Sequence, residues 1–305
     1  MGIKNKIIKY IKETKYNIGF IDGDLKSILE GEPIKVNWLK HHYKDRWFAD
    51  PFILDVTNNE IIVLVEEWYN PIQRGRISKL TINKKTFELI NLKVMIDPGS
   101  HLSFPAIDRR GNRIFIHPEN SVNNCLEEYE YIPTKDCFVH KRTIAELPLT
   151  DSVCNNYFGE DILFSTKLPD ANGKELGIYE WNSKEKKYEI KEYYHFQDNI
   201  SRMAGNFFIV EGKIYRPAQV CIKSYGDAVS IQEVKYVDNK WEFKEIRRIY
   251  SPNPDLDLGF HTFNTFKDII VVDAIGYRRA KLCHILRGGK TTITNTLNTH
   301  KIYDN

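Results

Sequence analysis

Apolar residues in this chain come in short runs separated by polar turns, and the pattern recurs. Ile61-Ile62-Val63-Leu64-Val65, Ile114-Phe115-Ile116, Ile162-Leu163-Phe164 and Ile269-Ile270-Val271-Val272 each follow a turn-forming cluster. Those clusters are Asn58-Asn59, Arg110-Gly111-Asn112, Gly159-Glu160-Asp161 and Lys267-Asp268, with Glu211-Gly212-Lys213 as a fifth. Short apolar and β-branched runs bounded this way read as strands joined by hairpins. Ahead of each turn, at a spacing of about 50 residues, a polar side chain opens the first strand: Asp50, His101, Asp151, Arg202 and His261. A repeat of that length built from short strands marks a β-propeller. The expected fold is all-β, a five-bladed β-propeller, with the polar set converging on one mouth of its channel.

The first blade reads as strands over 47–54, 61–68, 76–82 and 87–95. A second starts at Leu102 and a third near Val153, the latter containing 176–181 and 188–194. The fourth runs from Met203 through 214–219, 229–234 and 241–246, and the fifth from His261 to about Leu286. A two-sheet sandwich would not produce this four-strand period. Residues 16–21 read as a strand that completes the last blade and so removes an exposed edge. Residues 16–305 are then one domain. Residues 1–15 carry Lys4, Lys6, Lys9, Lys12 and Lys15 with Ile3, Ile7, Ile8 and Ile11 at helical spacing. They predict a short basic amphipathic helix that covers one end of the propeller or makes peripheral membrane contact.

Composition narrows the class without naming a reaction. Hydrophobic residues are 42% and charged residues 28% of the chain, which suits a soluble protein with a real core. A net charge of +3 is too small to imply nucleic acid. Cys125, Cys137, Cys154, Cys221 and Cys283 form no CxxC pair, so free thiols in a reducing compartment are expected. With no apolar run of about 18 residues and no secretory h-region, the expected location is cytoplasmic. Nucleotide-loop and GxSxG motifs are absent, and no chelating histidine spacing suggests a metal. Asp255-Leu256-Asp257 reads as a solvated loop. No cofactor is indicated.

The candidate site rests on residue type and place. Asp is depleted in strands, so Asp50 within Trp47-Phe48-Ala49-Asp50-Pro51-Phe52 is a pocket carboxylate or a strand-entry turn residue. Glu66 and Glu67 close the second strand, and alternation lets only one face the channel, Glu66 being favoured. Glu119 takes the matching place in the second blade. Paired carboxylates are the equipment of sugar chemistry, as acid and as base or nucleophile. His101 and His261 are read as repeating the first-strand position and as binding hydroxyls. Arg202 and Arg216, facing inward, would need a carboxylate or an anionic substrate group. Gln219, Tyr225, Trp68 and Asp273 complete the expected lining.

Several strings together resemble a known family: Trp-Phe-Ala-Asp-Pro-Phe at 47–52, Glu66-Glu67-Trp68, His101-Leu102-Ser103-Phe104-Pro105, Pro118-Glu119-Asn120, Tyr215-Arg216-Pro217-Ala218-Gln219 and Gly259-Phe260-His261-Thr262. They resemble the N-terminal propeller domain of plant glucosamine inositolphosphorylceramide transferases and its bacterial stand-alone relatives, over roughly residues 45–275. More distantly, Ala49-Asp50-Pro51 is similar to the general-base motif of family-43 glycoside hydrolases, which implies that role for Asp50. No motif here matches that family's later-blade Glu acid. The plant activity is not expected to carry over, since its separate catalytic domain has no counterpart in this sequence. The expected function is glycosyl transfer during surface-polysaccharide or glycolipid assembly. The substrates would be a sugar or glycan, such as a nucleotide sugar or lipid-linked acceptor. A family-43 hydrolase and a non-catalytic glycan-binding module are the alternatives.

Overall fold

A computed structural model describes residues 13–280. Its sheets are five, each of four antiparallel strands. The chain begins in the blade that it finishes. Strands β1 (Thr14–Ile21) and β2 (Val36–Trp38) form the outer half of blade V, separated by the one-and-a-half-turn helix α1 (Leu25–Glu30). Asp24 caps α1 by accepting the Ser27 N–H at 3.0 Å, and Gly31 ends it with φ of 101°.

Blades I to IV then follow in chain order. Blade I comprises β3 (Arg46–Val56), β4 (Glu60–Tyr69), β5 (Arg74–Asn83) and β6 (Leu89–Ile96). Blade II comprises β7 (Ser103–Arg110), β8 (Arg113–Glu119), β9 (Leu126–Ile132) and β10 (Cys137–Ala145). Blade III comprises β11 (Leu149–Asn155), β12 (Ile162–Lys167), β13 (Glu175–Asn182) and β14 (Lys187–His195). Blade IV comprises β15 (Phe208–Val210), β16 (Lys213–Val220), β17 (Ala228–Val237) and β18 (Lys240–Ile249). The ring returns to blade V with β19 (Gly259–Phe266) and β20 (Ile269–Tyr277), and β20 pairs with β1 over eight residues from Thr14↔Tyr277 to Ile21↔Ile270.

The five-bladed expectation therefore holds, and the blade limits read from the sequence fall within a few residues of the strands, except that the expected end of the fifth blade near Leu286 lies outside the described residues. Three details differ. Two N-terminal strands, not one, complete blade V, because β2 adds an outer strand against β1. Thr14 and Lys15, expected to end the basic helix, belong to β1; the rest of that helix lies outside the described residues. Blade IV has only a three-residue first strand, preceded by an isolated bridge between Met203 and Ala218. The segment around Arg202 is irregular and can turn its side chain toward the axis.

Between blades the alternating apolar residues form the core. At the seam of blades V and I, Ile18, Phe20, Phe48, Ile53, Val63 and Val271 are buried together. Among the described residues no helix is long and apolar enough to cross a membrane.

Closure makes β1 a test of the whole ring. Ile18 is fully buried in that seam. Ile18→Ala should cost about 2–5 kcal/mol, read as a lower urea midpoint in a single cooperative transition. A separate early transition confined to blade V would contradict the shared core.

Candidate carboxylate site at the propeller axis

The site begins with a repeated irregularity. In four of the five first strands, two residues sit where the partner strand has one. Ala49 faces Glu66 and Phe52 faces Leu64, which leaves Asp50 and Pro51 in one gap. Phe104 with Pro105, Asp151 with Ser152, and Phe260 with His261 occupy the corresponding gaps of blades II, III and V. Asp50, Phe104 and Asp151 adopt φ of 50°, 42° and 47°, a left-handed conformation costly for such residues. A bulge of this kind bends the strand and re-aims a side chain. Here it turns Asp50 and Asp151 inward.

His101 and His261 are not equivalent, contrary to the sequence reading. His261 is the second residue of its bulge, and His101 lies ahead of β7 altogether. The bulges begin at Asp50, Phe104, Asp151 and Phe260, which are unevenly spaced along the chain, so a spacing of about 50 residues does not fix equivalence.

At the center Asp273, fully buried on β20, gathers three donors. Its Oδ2 accepts the Asp50 N–H at 2.8 Å, and its Oδ1 accepts the Thr262 N–H at 3.0 Å. The His261 Nδ1 lies 2.6 Å from the same Oδ1. On its other side the ring presents Nε2 to Asp50 Oδ1 at 3.4 Å. Asp50 Oδ2 in turn accepts the Phe104 N–H at 3.2 Å. Across the axis Arg202 Nε donates to Asp151 Oδ2 at 2.6 Å, and its Nη2 reaches Glu119 Oε2 at 3.3 Å. Gln219 Nε2 donates to Asp151 Oδ2 at 2.6 Å, and Glu119 also accepts the Asp151 N–H.

Five carboxylates, Asp50, Glu66, Glu119, Asp151 and Asp273, are thus buried around one hub. Burial disfavours their charge, and each opposes ionisation of the next. Burial first, then the Asp151 and Asp273 charges, push Asp50 up to about 7 against the pull of His261. Asp151 is likewise pushed up to about 7 by burial, although Arg202 pulls the other way. Glu66 is raised well above the usual carboxylate range by burial and by Asp50, then Glu119. Burial would lower the His261 pKa, but Asp273 and Asp50 outweigh it and push it up to about 9. At neutral pH the hub therefore holds partly ionised Asp50 and Asp151 and a cationic His261, with Glu66 shifted toward its protonated form.

The model of the N-terminal region of glucosamine inositolphosphorylceramide transferase 1 matches residues 36–257. The chain belongs to that family. The transferase 1 proteins of Oryza sativa subsp. japonica and Arabidopsis thaliana are 26% and 24% identical over 213 residues, which is 67% of this chain. The chain spans only 28% of their length. Among solved structures it is similar to a GH43 β-1,3-galactosidase with galactodeoxynojirimycin, with a TM-score of 0.53 and 8% identity over 74% of this chain and 84% of that one. It is also similar to Zg3597, a family 117 glycoside hydrolase of Zobellia galactanivorans, with a TM-score of 0.50 and 10% identity over 87% and 91% of the two chains. At such identities these two show the fold alone.

In this family member the remaining expected residues divide in two. Glu66, and not its neighbor, faces the hub, because Glu67 points the other way into Arg46, Arg76 and Ser78 at 2.6–3.0 Å. His101 is a wall residue: its Nδ1 accepts the Gly75 N–H at 2.9 Å, and Nε2 looks toward Glu66 Oε1 at 3.8 Å. Burial and Arg74 lower its pKa, so it stays neutral. Gly75 permits that approach, since a Cβ there would fall 2.3 Å from Glu66 Oε1. Trp68 stacks on Trp47 with centroids 5.5 Å apart, and Tyr225 stands edge-on to His261.

Arg216 does not reach the site. Its fully buried guanidinium bonds Gln232 Oε1, the Ser201 carbonyl and Met203 Sδ, and lies by the rings of Phe196 and Phe243. Strand alternation separates it from Gln219, three residues on, which does enter the hub.

Tyr16, 4.9 Å from the His261 ring, and Trp47, 5.0 Å from Tyr16, were missed as wall residues. Tyr16 had no signal, since only closure of blade V brings it there; Trp47 stood within the Asp50 string. Asp50, His261 and Asp273 also set one ligand atom each within 4.8 Å of the others, a donor set that suits a cation. Their separation along the chain hid it from a search for chelating spacings.

Arg202 is the counter-charge of two carboxylates. Arg202→Met should cost about 3–5 kcal/mol at pH 8, as expected when one partner of a buried pair is removed. The loss should shrink toward pH 5, where Asp151, already pushed up to about 7, can take up a proton instead. Urea unfolding at both pH values measures this; a loss independent of pH would contradict the pairing.

Proposed function

We propose that the axis binds a neutral glycosyl unit and transfers it, with Asp50 as general base. The observation that carries this reading is the contrast between two hub carboxyls. Asp50, held by His261 and Asp273, is pushed up to about 7, whereas Glu66 on the adjacent strand, with no cation beside it, is raised well above the usual carboxylate range by burial and by Asp50. Carboxyls pushed apart in this way suit acid and base roles in sugar chemistry. Asp50 would take the proton of an acceptor hydroxyl, and Glu66 would donate to or orient the departing oxygen. Glu119 is tied to Arg202, Ser121 and the Asp151 amide, so its role is to orient the hub.

Two buried acceptors favour a polyol ligand. Gln219 Oε1 and Thr262 Oγ1 have no hydrogen-bond partner, and sugar hydroxyls are suitable donors. The excess of carboxylates disfavours an anionic sugar at the center. An anion-clamp role for Arg202 and Arg216 is accordingly dropped: the first is engaged by carboxylates and the second is elsewhere. Negative groups of an activated donor or lipid-linked acceptor fit better in the adjoining cleft of about 410 Å³. Tyr16 and Trp47 separate it from the hub, and Lys15, Lys44, Arg46, Arg278 and Arg279 line it. The names of the plant relatives support transfer over hydrolysis. The reading includes an intracellular step of glycan or glycolipid assembly.

Because the chain spans only 28% of those relatives, a glycan-binding module without turnover is the second reading. Assays with a panel of nucleotide sugars and lipid-linked acceptors, and with nitrophenyl glycosides for hydrolysis, separate the readings. Transfer should appear in the first set. Asp50→Asn should lower turnover about 10²–10⁴-fold, and the wild-type rate should fall as pH drops below about 7 and Asp50 becomes protonated. Equal turnover in Asp50→Asn would sink the assignment; saturable binding with no product would support the module.

A second measurement needs no substrate. The raised pKa of Asp50 means that the folded state holds its proton more tightly than the unfolded chain. Asp50 therefore opposes folding increasingly as pH rises from about 4 to 7. Asp50→Asn should gain stability relative to wild type across that window, on the order of 4 kcal/mol by pH 8. A difference that stays flat with pH would contradict the raised value.

A further inference from the structure

The seam between blades II and III contains a polar cluster that the axis site does not use. On β7 and β8, Ala106 faces His117 and Asp108 faces Phe115. Side chains of Asp108 and His117 therefore share one face of blade II. That face meets β11 of blade III, which brings Cys154. By register, the place of His117 is taken by Leu64 in blade I and Phe164 in blade III, both fully buried apolar residues. Those two seams are closed there with a hydrocarbon side chain, whereas blade V places Asp273 at the same register, where it serves the hub. His117 is just as completely buried, so its imidazole needs polar partners.

It has a partner on one side only. Nε2 lies 3.4 Å from Glu128 Oε2, while the buried Nδ1 makes no hydrogen bond. Asp108, His117 and Cys154 each offer one ligand atom within 4.8 Å of the others. Arg110 Nε holds Asp108 through Oδ2 at 2.7 Å, which leaves the second oxygen for another partner. Glu128 is itself fixed by Arg142 Nε at 2.9 Å and Arg110 Nη1 at 2.7 Å.

A thiol, an imidazole and a carboxylate form a donor set for zinc-type ions, and a carboxylate behind the imidazole is the usual way such a ring is oriented. We propose that this seam binds one thiophilic divalent ion through Cys154 Sγ, His117 Nδ1 and a carboxylate oxygen of Asp108, with a fourth position left for water. Bond lengths of about 2.0–2.3 Å place tetrahedral ligand atoms about 3.3–3.8 Å apart, so closing the site needs shifts of only about 1 Å. Bound there, the ion would fasten blade II to blade III.

Cobalt(II) is the discriminating probe, because the cation-suited trio at the axis has no sulfur. The full chain, reduced and stripped by a chelator, should take up one equivalent of cobalt with a thiolate-to-cobalt charge-transfer band. Zinc should abolish that band and raise the Tm. Cys154→Ser should lose both the band and the zinc-dependent rise in Tm while keeping the wild-type circular dichroism. His117→Gln should weaken cobalt binding by at least about 10-fold. Absence of the band in wild type, or its survival in Cys154→Ser, would overturn the proposal. Cobalt uptake without the band would assign the ion to oxygen and nitrogen ligands elsewhere, which also overturns it. None of these outcomes bears on the role of Asp50.

Discussion

The axis depends on the Asp273 carboxylate. It accepts the amides of Asp50 and Thr262 and meets His261 Nδ1, so one buried side chain fixes blade I, the inner strand of blade V and the imidazole between them. The Asp50 bond spans 223 residues of sequence. It joins β3 to β20, near the end of the described residues, and β20 is the strand that also pairs with β1. Closing the ring and assembling the site are in this sense the same event.

Once the ring is closed, electrostatics dictates the state of the hub. Five buried carboxylates cannot all be ionised around one arginine and one imidazolium, so protons remain on some of them at neutral pH. The protein resolves this unevenly. Asp151 and Glu119 receive Arg202, Asp50 receives His261, and Glu66 receives only the distant edge of a neutral His101. Inequality among chemically similar groups is what gives the hub distinct proton donors and acceptors.

Adjacent residues illustrate how direction outweighs composition. Glu66 and Glu67 are both buried, yet one faces the hub and the other sits between Arg46 and Arg76 as part of a packing network. Arg202 and Arg216 show the same split. Arg202 lies on an irregular segment that turns it to the axis; Arg216 lies in a regular strand whose alternation directs it among Phe196, Gln232 and Phe243. Alternation within one strand let only one of Glu66 and Glu67 face the channel, and Glu66 was the one favoured. The reading of Arg216 failed because alternation alone does not say which face of a strand points to which neighbor.

The blades were legible in the chain itself, because strand periodicity and turn chemistry are local: Ile61–Val65 after Asn58-Asn59, or Trp241–Ile246 after Asp238-Asn239, need no distant partner to be recognised. Asp50, Glu66, Glu119 and His261 were also visible, as polar residues out of place in strands. What only the folded molecule decided was the equivalence of positions and the identity of the partners. The bulges of blades I and II begin at Asp50 and Phe104, so that Phe104 rather than His101 corresponds to Asp50. The Tyr16 wall and the meeting of His117 with Cys154 arise where separate blades touch. Such contacts join residues far apart in the chain, and no local pattern encodes which of them will meet.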